Sequence, residues 1–371
     1  MLSIALTLLA CSAHVNDTQS ELPADTSATP DTSTTPEVTV PDGEALVLRG
    51  ATLASGEFAS QVSDVQIVSG RISAIGAAGT LAGEVVDISG RWLAPAFIDS
   101  HVHLAYLDDR DGMLDGGVAA AVDMAAPTSF FTADLSPMTL LLSGPMVTGE
   151  GGYPTQSWGS NGYGVECGDA DEAVAAVVDL AGMGAGLIKI PRIGSDDLSM
   201  SAMNAAVEAA HDRGLLVASH ATSDALAAEA SVADVLAHTP TAALSASTIE
   251  AWSGKAVVST LSAFGGGAAT VENLRKLRAA GATVLYGTDF GNTRTPGIDP
   301  AEIALLQEAG LDGAAILAAG TSTPADLWGL ESQGRIAVGR DASFLVLSQD
   351  PAGDPMVLTE PEQVWIQGQR R

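Results

Sequence analysis

Residues 94–104 read Ala94-Pro95-Ala96-Phe97-Ile98-Asp99-Ser100-His101-Val102-His103-Leu104. An apolar run of strand length ends in a carboxylate and two histidines. His101 and His103 are two residues apart on an extended segment, so their imidazoles point to the same side. That arrangement suits two nitrogen ligands on one metal ion. A lone His-x-His is weak evidence, so the reading depends on which residues end the other apolar runs.

Such runs recur along the chain, each followed by a polar, helix-like stretch. They cover residues 93–98, 118–124, 140–147, 186–190, 215–219, 235–237, 256–261 and 283–286. Helical patterns fall at 171–183, 201–213, 223–230 and 271–280. Eight strand–helix units predict an α/β fold, a (β/α)₈ TIM barrel over residues 95–330. Shorter strands with Gly-containing turns precede it, at 45–48, 65–68, 71–75 and 85–87. A last helix near 323–330 leads to strands at 344–347 and 364–366. The expected assembly joins both chain ends, 44–94 and 331–371, into a small β-sandwich beside the barrel.

In such a barrel the chemistry sits at the C-terminal strand ends. Asp99, His101 and His103 follow the first run. Lys189 sits in the fourth, His220 and His238 follow the fifth and sixth, and Asp289 follows the eighth. Four of the six histidines thus fall at strand ends. Singly, His220 or His238 reads more readily as a satisfied core histidine than as a ligand, and Asp289 also reads as a helix cap. Lys189 lies among Leu187, Ile188 and Ile190, where an unpaired ammonium is costly. Two readings stay open for it. It snorkels to a carboxylate at the barrel mouth, or CO₂ converts it to a carbamate, an anionic oxygen ligand.

Composition narrows the function classes. The chain has 371 residues, 46% of them hydrophobic and 16% charged, which excludes global disorder. A net charge of −29 repels phosphate backbones and anionic headgroups, so no nucleic acid is expected as a partner. Residues 1–10, MLSIALTLLA, are apolar but too short to span a bilayer, and they fit a secretory signal. Leu8-Leu9-Ala10-Cys11 resembles a bacterial lipobox, although no Lys or Arg precedes it. The expectation is an exported lipoprotein that meets the membrane only through a lipid on Cys11. Residues 11–43, rich in Ser, Thr, Pro and Asp, then form a disordered tether.

Taken together, the chain resembles the amidohydrolase superfamily over roughly residues 44–371. The carrying segments are residues 94–104, Ile188-Lys189-Ile190, Ala218-Ser219-His220-Ala221, Leu236-Ala237-His238-Thr239 and Gly287-Thr288-Asp289. The stretch from Gly334 to Phe344, GRIAVGRDASF, adds to them. The strand bearing Lys189 is most similar to the binuclear branch of prolidase-like dipeptidases and imidazolonepropionase-like cyclic amidases. The resemblance implies two divalent metal ions, with Zn²⁺ suited to the donors. His101, His103, Lys189 and Asp289 would hold one, and carboxylated Lys189, His220 and His238 the other. A hydroxide bridging the metals would attack an amide-type C–N bond in a dipeptide, an N-acyl amino acid or a cyclic amide. Asp289 would be the catalytic proton carrier. One departure is visible: the Glu that often precedes the sixth-strand His is absent from Val235-Leu236-Ala237-His238.

The loop 149–167 carries Tyr153, Trp158 and Tyr163 and is expected to wall the pocket. Arg192 and Arg294 are candidates for a substrate carboxylate, with a structural ion pair as the competing reading for each. Other function classes remain open: a mononuclear deaminase or chlorohydrolase on the same fold, or a non-catalytic surface-binding lipoprotein. A homo-oligomer is compatible with the sequence.

Overall fold

The computed structural model describes residues 44–57 and 59–371. The expected signal 1–10, tether 11–43 and lipidated Cys11 lie outside the described residues. Five strands open the described chain: β1 (Leu46–Leu53), β2 (Val62–Val68), β3 (Arg71–Ala77), β4 (Glu84–Asp87) and β5 (Trp92–Pro95). Next come β6 (Phe97–Val102), β7 (Val118–Asp123), β8 (Thr139–Leu142), β9 (Met146–Gly149) and β10 (Gly164–Cys167). After these come β11 (Leu187–Pro191), β12 (Leu216–His220), β13 (Val235–Leu236), β14 (Ala256–Val258) and β15 (Thr283–Leu285). The chain closes with β16 (Phe344–Leu347), β17 (Gln363–Ile366) and β18 (Gln369–Arg370).

Both ends of the described segment meet in one mixed eight-stranded sheet, ordered β18-β17-β16-β5-β1-β2-β3, with β4 against β1. Side chains alternate across it. Leu93, Phe344 and Val346 join a core with Leu46, Leu48, Val65 and Trp365, whereas Ala94, Leu345 and Leu347 pack into the main body. The sheet is therefore apolar on both faces where it abuts the rest of the protein.

The main body is parallel. β6, β7 and β8 form one arc, and β11 to β15 form another in chain order. Between the arcs run individual hydrogen bonds, Gly186 N–H to Leu142 O and Ser100 N–H to Tyr286 O, both 2.9 Å. The result is a mixed α/β fold consistent with a TIM-barrel-type superfamily.

Two expected strands divide. The run 93–98 serves two sheets: β5 pairs antiparallel with β16, and β6 pairs parallel with β7. The switch falls at Pro95, which has no N–H to continue a ladder. The run 140–147 breaks at Ser143-Gly144-Pro145, where Gly144 takes φ 70°. β8 stays with β7, whereas β9 pairs with β10, a strand the pattern did not predict. The helices at 171–183, 201–213, 223–230 and 271–280 appear as Ala170–Met183, Met200–His211, Asp224–Glu229 and Ala268–Ala279. Asp169, Ser199 and Ser223 cap the first three by accepting the N–H of Glu172, Ala202 and Leu226.

β6 is fixed at its start by Phe97, which is fully buried and meets Tyr286 edge-on at 5.2 Å. A Cβ at Gly320 would lie 2.2 Å from the Phe97 ring, so the helix Gly313–Gly320 can approach only with glycine there. Phe97→Ala should lower unfolding free energy by about 3–5 kcal/mol in denaturant titration. A loss below about 1 kcal/mol would mean that this contact does not anchor β6.

Candidate active site

Every element that brings chemistry here ends at one place. His101 lies in β6 and His103 one residue past its end. Lys189 lies in β11, and His220 closes β12. His238 and Asp289 follow β13 and β15. The structure brings all six together.

The arrangement is locked by backbone groups. Asp99, fully buried, accepts the N–H of His101 at 3.0 Å, the N–H of Thr288 at 3.1 Å and the hydroxyl of Thr288 at 2.5 Å. It thereby ties the histidine pair to the segment bearing Asp289. Burial pushes its carboxyl up to about 7 despite those bonds. Asp289 N–H donates to His101 O at 2.9 Å, and Asp289 sits at φ 55°, a left-handed conformation that Asp tolerates better than most residues. Gly291 takes φ 111°, and a Cβ there would lie 2.7 Å from that of His103. The helix-cap reading of Asp289 does not hold: the next helix, Pro300–Glu308, is capped by Asp299.

The ring nitrogens can be assigned from their partners. His101 Nδ1 lies 2.8 Å from the carbonyl of Ala237, which only accepts, so Nδ1 carries the proton and Nε2 a lone pair. His101 Nε2 is 3.3 Å from His103 Nε2. Asp289 Oδ1 is 3.5 Å from the former and 3.2 Å from the latter. Three donor atoms therefore converge. His238 stacks on His101 at 4.3 Å and meets His220 edge-on at 4.5 Å. Burial, with the nearby Lys189 and neighbouring imidazoles, holds His101 and His238 well below the usual imidazole range. Desolvation takes His220 down to about 3. These rings are neutral, as metal ligands must be.

Lys189 is fully buried, and its Nζ has no hydrogen-bond partner among the described residues. The snorkelling reading therefore fails. Desolvation lowers its amine to about 7, against the pull of Asp289 and Asp123. His103 Nδ1 is likewise buried and without a partner among the described residues. Orphaned nitrogens and converging lone pairs fit divalent cations with N/O ligation.

A wall of aromatic side chains covers the cluster. Trp158 packs on His103 at 5.1 Å, Tyr153 on His220 at 5.7 Å, and Tyr163 donates its hydroxyl to Ala105 O at 2.7 Å. Tyr106 joins them against Trp158 at 5.2 Å. Sequence reasoning missed Tyr106, three residues beyond His103, and Phe264, 4.9 Å from the His238 ring. It also passed over Asp123, the buried last residue of β7, which the rule of inspecting strand ends would have caught. Asp123 accepts the N–H of Ala105 and of Ala125, and burial raises it to about 6.

The two arginines differ in their surroundings. Arg294 is exposed and makes no ion pair among the described residues. Arg192 is buried: its guanidinium donates to Leu198 O at 2.7 Å and pairs with Glu229 and Asp197, while its Nε has no partner among the described residues. The structural ion pair describes Arg192 better than a free fork for substrate.

The family model described as "Amidohydrolase family" matches residues 154–371, more than half of the chain. The chain belongs to the amidohydrolase family. Amidohydrolases are hydrolases of C–N bonds, and their superfamily is metal-dependent; in this amidohydrolase His101, His103 and Asp289 form a group that could hold an ion. Among solved structures, a Xaa-Pro dipeptidase with bound methionine is similar at TM-score 0.74 and 18% identity, covering 88% of this chain and 99% of that one. A prolidase complexed with N-methylphosphonate-L-proline gives TM-score 0.71 and 20% identity, covering 88% and 99%. Phenylurea hydrolase B gives 0.70 and 18%, covering 88% and 97%. At these identities the likeness establishes a shared fold. No curated protein sequence matches the chain.

Removing the Arg192 charge should act on stability and leave substrate binding alone. Arg192→Ala is expected to cost about 2 kcal/mol in denaturant titration because it removes a buried guanidinium that donates to Leu198 O and pairs with Glu229 and Asp197. The KM of folded enzyme should stay unchanged. A KM rise of about tenfold with stability intact would return Arg192 to the substrate site.

Proposed function

We propose that this amidohydrolase cleaves the C–N bond of a dipeptide, an N-acyl amino acid or a cyclic amide at a centre of two divalent cations. One observation carries the reading. Lys189 Nζ lies buried, with no partner among the described residues, beside the imidazoles of His101, His220 and His238, which burial holds neutral, and the carboxylate of Asp289. A neutral amine is the form that adds to CO₂: its lone pair bonds the carbon, a proton leaves, and a carbamate anion results. That anion would remove the orphaned nitrogen and supply oxygen ligands. The substrates named in the similar structures, an Xaa-Pro dipeptide and a phenylurea, share a carbonyl bonded to nitrogen.

His101, His103, Lys189 and Asp289 would hold one cation, and Lys189, His220 and His238 the other. When bound, such ions polarise a carbonyl and acidify water. The remaining work falls to the chain. Asp289 is the proton carrier: it takes a proton from the attacking water and delivers it to the leaving nitrogen. Asn292 Nδ2 steers it, 3.1 Å from Oδ1 and 3.3 Å from Oδ2. Tyr153 Oη accepts the indole N–H of Trp158 at 2.7 Å, which leaves its own proton for a substrate oxygen. Burial pushes Tyr153 up to about 12, so that proton stays in place. Trp158, Tyr163 and Tyr106 limit water access.

The two parallel arcs are read as parts of one (β/α)₈ barrel, a reading supported by the hydrogen bonds between them and by eight parallel strands in chain order. The two-ended sheet is read as the small β-sandwich unit, with boundaries near residues 94 and 331. For residues 1–43 the proposal of an exported, Cys11-lipidated segment rests on the sequence alone.

The test is hydrolysis of a panel of Xaa-Pro and other dipeptides, N-acyl amino acids and cyclic ureides, with metal content measured on the same preparation. About two equivalents of metal and turnover of one class are expected. One equivalent with deamination of an aromatic base would favour the mononuclear alternative. Lys189→Ala should lower metal content and abolish turnover, and unchanged content would remove Lys189 from the ligand set. Tyr153→Phe should lower kcat about 100-fold with KM nearly unchanged, as expected for a donor used in the transition state. An unchanged kcat would leave Tyr153 as wall alone.

A further inference from the structure

Among the described residues, His238 has no carboxylate partner of the kind that usually orients a ligating imidazole. Ala237 precedes it, and the structure supplies something else. Thr260 Oγ1 lies 3.0 Å from His238 Nδ1 in a buried contact. With Nδ1 engaged, Nε2 is the ring nitrogen left to serve a ligand. A lone pair on Nε2 requires the proton on Nδ1, which the Thr260 oxygen is placed to accept.

Thr260 reaches this position at a conformational cost. Its φ is 39°, in the left-handed region, where a β-branched residue is an outlier. Such a conformation persists only where the surroundings impose it, and here they do. Thr260 N–H donates to Gly287 O at 3.2 Å, in the segment leading to Asp289. Immediately downstream, the fully buried Glu302 accepts Leu261 N–H at 3.0 Å and Ser262 N–H at 2.7 Å. Ser262 hydroxyl donates to Asp299 at 2.7 Å, and Asp299 caps the helix Pro300–Glu308 that carries Glu302. The turn after β14 is thus clamped from behind by one helix, with its hydroxyl turned toward His238.

We propose that Thr260, clamped by Glu302 through the Leu261–Ser262 backbone, is the positioning residue that sets the tautomer and aim of His238. The proposal rests on the reading of His238 as a metal ligand. It predicts that the hydroxyl, rather than the bulk of Thr260, governs affinity for the ion that His238 holds.

The test is Zn²⁺ stoichiometry and affinity of the full chain by competition with a chromophoric chelator, in wild type, His238→Ala, Thr260→Ser, Thr260→Val and Thr260→Gly. His238→Ala should lose one ion. Thr260→Val and Thr260→Gly should bind that ion about 10–100-fold more weakly. Thr260→Ser, which keeps the hydroxyl, should stay within about threefold of wild type, well inside that range. Glycine adopts φ 39° without strain, so Thr260→Gly keeps the test available where Thr260→Val does not fold. If His238→Ala loses an ion while Thr260→Val and Thr260→Gly bind like wild type, the proposal falls and the metal centre stands. If His238→Ala keeps both ions, the reading of His238 falls and the proposal with it. If Thr260→Ser binds as weakly as Thr260→Gly, the side chain acts by packing and the proposal is overturned.

Discussion

The structure depends on how a set of polar side chains is kept in an apolar interior. His101, His103, His238, Lys189 and Asp289 are buried, and the strands that carry them are walled by Val122, Leu187, Ala218, Val235, Val258 and Leu285. A buried donor or acceptor left without a partner costs about 1–3 kcal/mol, and an unpaired charge costs more. Lys189 Nζ and His103 Nδ1 are in that position. Folding tolerates such a cluster when its protonation adjusts and when something binds the converging lone pairs. The lowered imidazoles and the amine near 7 are the first response. Divalent cations, as proposed above, would be the second.

Fixing the cluster requires backbone rather than side-chain packing. Asp99 binds β6 to Thr288, Ala237 O sets the His101 ring, and Glu302 clamps the turn that carries Thr260. Asp289 and Thr260 both occupy the left-handed region next to the site. Glycine would be free of strain at either position but would bring neither carboxylate nor hydroxyl. The strain is localised where the chemistry needs a side chain on a tight turn.

Much of this was legible in the sequence, for reasons that differ by element. The helices at Ala170–Met183 and Met200–His211 carry Asp169 and Ser199 as caps, so their starts could be read within a residue or so. Polar residues at or just beyond the ends of apolar runs drew attention to His101, His103, His220, His238 and Asp289, and Lys189 stood out within its run. The splitting of 93–98 and 140–147 was hidden because an apolar run does not state which sheet it joins. Pro95 and Gly144-Pro145 were the punctuation that gave it away. For Arg192 the sequence left substrate fork and structural ion pair both open, because a local pattern cannot show a partner 37 residues away at Glu229. Thr260 and Glu302 were silent, and Asp99 was noticed at its strand end without its role, because these roles consist of hydrogen bonds to groups remote in sequence. Membership of the amidohydrolase family rests on residues 154–371, so the His101–His103 pair contributes by geometry, from outside the matched segment.

The central claim is that this buried cluster is a metal centre completed by a modified lysine. An anomalous-scattering map from crystals of the enzyme grown with Zn²⁺ and bicarbonate tests it most directly. The account predicts two peaks, one against His101, His103 and Asp289 and one against His220 and His238. Density beyond Lys189 Nζ should fit a carbamate reaching both. No peak at these side chains, with Lys189 ending in a bare amine, would contradict it.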